Sequence, residues 1–135
     1  MAWESYKLDQ YAHDLVLKHR DNNKDVLNQA HKMRMTAAYG LERFWGEQIR
    51  LEGDQKAYWK DTWEALVKIM AKAKVKIPND DVGNDTEKIK AMAEKLWNFD
   101  QNQRKVALAV LIQLCDSMVW WTQRYKGNGG RKENA

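Results

Sequence analysis

Residues 104–125 read RKVALAVLIQLCDSMVWWTQRY. The stretch is apolar on nearly every side of a helix, with a basic pair at its start and one arginine near its end. A helix that is apolar all round has to be covered on all sides, by its own chain or by partners. The segment therefore predicts the axle of an all-α protein: a compact bundle of five or six helices around a central, largely apolar C-terminal helix. Cys115, Asp116 and Ser117 are its only groups with any reactive chemistry.

Five shorter helices are expected before it. The first spans Trp3 to Arg20, with Leu8, Tyr11, Ala12 and Leu15 on one face, and stops at Asp21-Asn22-Asn23. The second spans Lys24 to Tyr39 on a stripe of Val26, Ala30, Met33 and Ala37, with Gly40 as a left-handed cap. The third spans Leu41 to Leu51, with Leu41, Phe44 and Trp45 inward, and ends by Gly53. Asp54 is placed to cap the fourth, whose buried face is Trp59, Trp63, Leu66, Val67 and Met70. Residues 76–85 hold Pro78, Gly83 and five Asn/Asp, which predicts the one clear loop and a mobile segment. Thr86 opens the fifth helix, striped by Ile89, Met92, Ala93, Leu96 and Trp97. Asp100 is the expected cap of the last, with Gln103 three residues on completing a capping box.

The 135 residues suit a single domain over 1–125, large enough to bury a core, followed by a polar, disordered tail over 126–135. Net charge is +4, and the excess is uneven: residues 1–53 are neutral while 100–135 hold six basic and three acidic residues. That permits an anionic partner without requiring one. Cys115 stands alone, so no internal disulfide forms, which fits a reducing, cytoplasmic setting. The opening MAWESYKLDQ has acids and no apolar core, unlike a secretory signal. The apolar run Val106 to Trp121 is interrupted by Gln113 and Asp116 and falls short of the roughly 20 residues that span a bilayer. Seven tryptophans are an unusual load, expected mostly in the core.

The chain lacks the spacings that chemistry demands. His13, His19 and His31 make no H-x-x-x-H or E-x-x-H pair, so neither a zincin nor a di-iron site is expected. His19 and His31 read as surface or cap-adjacent residues. No G-x-S-x-G and no P-loop occurs. Cys115 in an apolar helix reads as core packing, with a raised pKa that makes it inert. Asp80 and Asp81 in the loop read as solubility and capping residues. The expectation is a protein without catalytic residues, metal or cofactor.

Basic residues recur at helical spacing. Lys68, Lys72 and Lys76 share one face if the fourth helix extends that far, with Lys74 nearby. Lys32 and Arg34 mark the second helix, Arg104 opens the last and Arg124 closes it. Such stripes can track a phosphate backbone, neutralising charge without reading bases. They can equally be solvated outer faces, and Glu64 sits four residues before Lys68 at ion-pair spacing. Trp120 and Trp121 lie about 100° apart on a helix, so burying both needs cover from more than one side, and one of them can belong to a subunit interface.

The order of features resembles a known family, the small α-helical subunit of type III CRISPR effector complexes, in particular the Cmr-type small subunit. The residues that carry the likeness are Gly40-Leu41 ending one helix, Phe44-Trp45 on the next, Trp59 and Trp63 on the one after, and Arg104, Ala107-Leu108, Leu111, Trp120 or Trp121 and Arg124 on the last. The likeness spans roughly residues 24–126. The chain departs from it in having Met33-Arg34-Met35-Thr36 where a Leu-Pro segment is common. The resemblance implies a scaffolding subunit that packs along an RNA-guided complex, contacts larger subunits and helps hold guide–target RNA, with self-association possible, no membrane and no catalytic residues. The competing expectation is a helical adaptor or homo-oligomer with no nucleic-acid ligand.

Overall fold

A computed structural model describes the backbone of residues 2–21 and 24–134 and the side chains of residues 7–21 and 28–125. It is an all-α bundle. The helices are α1 Ala2–His19, α2 Lys24–Ala37, α3 Leu41–Arg50, α4 Gly53–Lys72, α5 Thr86–Trp97 and α6 Gln101–Asn134. The expected stripe residue Val26 and the expected tail, 126–135, lie outside the described side chains.

The caps explain several boundaries. Asp100 accepts from the Gln103 amide at 2.9 Å and starts α6. Asp85 accepts from the Glu87 and Lys88 amides at 2.9 and 3.2 Å and starts α5. Asp54 does not cap α4: that helix begins one residue earlier, after Glu52, with no side-chain cap. Gly40 has φ 109° and ψ 169°, an extended mirror-image conformation open only to glycine, so it is not a left-handed cap of α2. It is the N-cap residue of α3, and its carbonyl accepts from the Phe44 amide at 3.1 Å.

The core is aromatic at its centre. Phe44 packs 4.9 Å from Trp59 and 6.2 Å from Trp63, all three buried. Each such side chain contributes about 1.5–3 kcal/mol of transfer free energy. The Trp59 indole donates to Gln29 Oε1 at 2.8 Å, which satisfies its buried N–H. The Trp63 indole donates to the Pro78 carbonyl at 3.2 Å. Ile77 and Val82 are buried as well. The 76–85 segment is thus tied to the bundle, against the expectation of a free loop. The apolar residues among its polar ones supply the anchors.

α6 is the central helix, packed by α1, α2 and α4. Asp9 meets Trp121 and His13 meets Tyr125, so α1 and α6 run the same way. Arg34 meets Asp116 and, just past α2, Glu42 meets Arg104, so α2 runs the opposite way. The buried face of α6 is Ala107, Leu111, Leu114, Cys115, Met118 and Thr122. The outer face stays open, with Val106 52 % and Trp120 47 % exposed, so the chain by itself does not enclose the helix. Within Gln101–Tyr125 an 18-residue window reaches a mean hydropathy of 1.3, which by length and composition alone passes for a membrane-crossing helix. The core helix of a bundle has the same composition, and here one face packs on three helices.

Two further expectations fail. Trp97 is 63 % exposed at the end of α5, because it lies one position beyond the buried Leu96 and turns away from the core. His19 is 3 % exposed, covered by α4. Of the six tryptophans with described side chains, Trp45, Trp59 and Trp63 are buried and Trp121 packs against the core, while Trp97 and Trp120 stand exposed.

Candidate nucleic-acid interface

The α4 register decides which lysines stand together. Lys68 and Lys72 are exposed on the helix. Lys76 is not on their face, because α4 ends at Lys72. The Lys74 amide donates to the Ala71 carbonyl at 2.9 Å, and the Val75 amide to the Met70 carbonyl, also at 2.9 Å. Lys74 itself has φ 64°. This is a Schellman ending with a lysine in the left-handed position where glycine is usual. It bends the chain away before Lys76.

The expected stripe instead continues backward. Lys56, Lys60, Glu64, Lys68 and Lys72 recur every fourth residue along α4, a row about 24 Å long that winds about 160° around the helix, with Lys56 and Lys60 toward residues 79–83 and Lys68 and Lys72 toward α1. Lys56 and Lys60 line a cleft of about 150 Å³ with Trp45, Trp63, Asp80 and Asp81. Lys68 lines a shallower groove against α1 with Tyr11, Asp14, Lys18 and Asp61. Glu64 borders both. The Lys72 ammonium lies 5.3 Å from the Tyr11 ring centroid. Lys56 and Lys60 escaped the sequence reading, although the same four-residue spacing, followed toward the N-terminus, finds them.

The seam between α1 and α4 is fixed by one carboxylate. Asp61 accepts from Lys18 and from His19 Nε2, each at 2.9 Å. His19 also stacks on Tyr58 with centroids 4.5 Å apart. Burial pushes the Asp61 carboxyl up, but the hydrogen bonds and charges of Lys18 and His19 outweigh it and hold the pKa below its usual 3.8. The hydrogen bond to Asp61 raises Lys18 in turn.

The remaining basic candidates are scattered. Arg34 Nε donates to Asp116 Oδ1 at 2.5 Å. Arg104 Nη1 donates to Glu42 Oε2 at 2.7 Å, and Nη2 to the Leu96 carbonyl. Arg124 lies over the Trp120 ring, 3.8 Å from its centroid. Arg34 and Arg104 tie helices together, while Arg124 stays on the exposed side of α6. Lys32 is exposed on α2 and, among the described residues, has no ion-pair partner. The seven candidates therefore do not form one surface; Lys68 and Lys72 belong to the α4 ridge, and the rest stand apart.

The Cys115 thiol is fully buried, and burial above all pushes its pKa up to about 12, with Asp116 adding and Arg34 opposing. Among the described residues no three His, Cys, Asp or Glu side chains converge as metal ligands. Compared with protein-family models, curated proteins and solved structures, the chain matches none.

Proposed function

We propose that this chain is a non-catalytic small subunit of an RNA-guided, type III CRISPR-like nucleoprotein complex, and that α4 is its nucleic-acid face. The observation that carries the reading is the lysine row of α4: four lysines and one glutamate that wind about 160° around the helix, as a strand wrapping it would require, flanked by a seam whose Asp61 is already occupied by Lys18 and His19. Lys60, Lys68 and Lys72 neutralise phosphates and hold the RNA backbone without base readout. Arg34 and Arg104 are engaged by Asp116 and Glu42 of neighbouring helices. The order of helices and the exposed aromatic residues fit a subunit whose neighbours are larger proteins.

The test is purification of the tagged protein from its host, followed by sequencing of co-purifying RNA. Several larger proteins with short RNAs sharing a repeat-derived end support the reading. Replacing Lys60, Lys68 and Lys72 by glutamine should then reduce the log–log salt slope of RNA retention by about 2, the value for three contacts on a single strand. An unchanged slope removes α4 as the contact face.

A second reading has an observation of its own. Met35 is 71 %, Tyr39 74 % and Trp97 63 % exposed, which suits a helical adaptor or homo-oligomer without nucleic acid. Light-scattering mass separates the two: a stable oligomer that forms without RNA favours the adaptor.

A further inference from the structure

Asp9 of α1 and Asp116, Ser117, Trp120 and Trp121 of α6 line a wide, shallow groove of about 580 Å³. We propose that this groove docks a cationic side chain, arginine or lysine, of a protein partner.

Its walls are preorganised. The two indoles stand 4.7 Å apart at 84°, forming a corner. Trp121 is held by a 3.1 Å hydrogen bond from its indole N–H to Asp9 Oδ1, and it packs edge-on to His13 at 4.5 Å. Trp120 remains 47 % exposed. Asp9 contributes a carboxylate with no cation beside it among the described residues, and Asp116 a second whose side chain is 58 % exposed. Among the described residues no basic side chain lines the groove itself, and Arg34 and Arg124 reach only its margin, at Asp116 and Trp120.

Charge complementarity selects the occupant. Indole faces and carboxylates both attract cations, and together they repel a phosphate backbone. The chain's own arginines demonstrate both contacts at the groove's margin: Arg34 on the Asp116 carboxylate at 2.5 Å, and Arg124 on the Trp120 ring at 3.8 Å. A partner's arginine or lysine entering between them meets the free charge of Asp9 and the open indole corner. This face is chemically opposite to the α4 ridge and does not depend on the RNA reading.

The experiment is an NMR titration of the full chain, following the indole N–H signals of Trp120 and Trp121. The probe is N-acetyl-arginine methylamide, with N-acetyl-glutamate methylamide and a short oligouridylate as controls. The expected result is a saturable shift with the arginine probe alone, with a dissociation constant on the order of 1 mM. Asp9→Asn keeps the acceptor for Trp121 but removes the charge, and it should weaken the probe at least about threefold. Trp120→Ala should abolish saturation while circular dichroism stays unchanged. A non-saturating response, an equal response to glutamate or RNA, or shifts that follow protein concentration as in self-association would each overturn the proposal.

Discussion

Arg104 and Glu42, 62 positions apart, join the first turn of α6 to the first turn of α3 through a 2.7 Å bond. The same guanidinium reaches the Leu96 carbonyl at the end of α5. Each side chain is 25 % exposed, so the pair is screened less than a surface pair but keeps part of its hydration. Gly40 is needed beside it for its backbone, φ 109°, and a Cβ there would also push aside the Glu42 carboxylate, whose Oε1 would lie 2.6 Å away.

Arg104→Gln should therefore cost about 1–3 kcal/mol in urea unfolding. A double-mutant cycle with Glu42→Gln should return a coupling of about 1 kcal/mol. A coupling indistinguishable from zero would mean that the contact orients the helices without stabilising them.

Lys74 holds a left-handed conformation, φ 64°, which costs a non-glycine residue about 1 kcal/mol. Lys74→Gly should stabilise the bundle by about 0.5–1 kcal/mol, net of the added flexibility of the unfolded chain. The substitution leaves the two Schellman bonds and the Val75 packing intact. Equilibrium denaturation decides it, and a destabilised variant would show that the lysine stem contributes more packing than the turn costs.

The same residue shows why part of the site was hidden. A helix that ends on lysine carries no glycine signal at its cap, so the loop around Pro78 was the one local hint that Lys76 leaves the helix, and it did not mark the end at Lys72. The helices themselves were legible, because Leu8, Ala12, Ala30, Met33, Phe44, Leu66 and Met92 repeat at 3.6-residue spacing and are buried. Asp100 could be identified because a cap acts within one turn. The role of Arg104 could not be, since its partner is 62 residues distant. The uniform apolarity of α6 announced a central helix but not which side the chain leaves open. His19 read as a surface residue because its cover, Asp61 and Tyr58, comes from another helix.

Asp61 gives the bundle an acid-sensitive seam. Its folded pKa is depressed, so the unfolded state binds the proton more readily, and stability rises with pH in that window. The contribution is complete above about pH 4 and is lost as pH falls through the folded value. Lys18, whose pKa is raised, keeps its share through neutral pH and loses it only in strong base. Urea midpoints at pH 7 and pH 3 should thus differ more in the wild type than in Asp61→Asn. Equal differences would show that the acid dependence arises at other carboxylates.

Cys115 reports on the enclosure of α6 directly. The thiol is fully buried and pushed up to about 12, so the native state holds almost no thiolate at neutral pH. Labelling must then proceed through opening of the face of α6 that packs on α1, α2 and α4. With an ordinary domain stability, native Cys115 should react at least about a thousandfold more slowly than the urea-unfolded chain at the same pH. The native rate should rise with urea along the unfolding curve if global opening exposes it, and stay flat at low urea if a local opening of α1 suffices. Rapid labelling of the native protein would place the thiol within reach of solvent. It would then return Cys115 to consideration as a nucleophile.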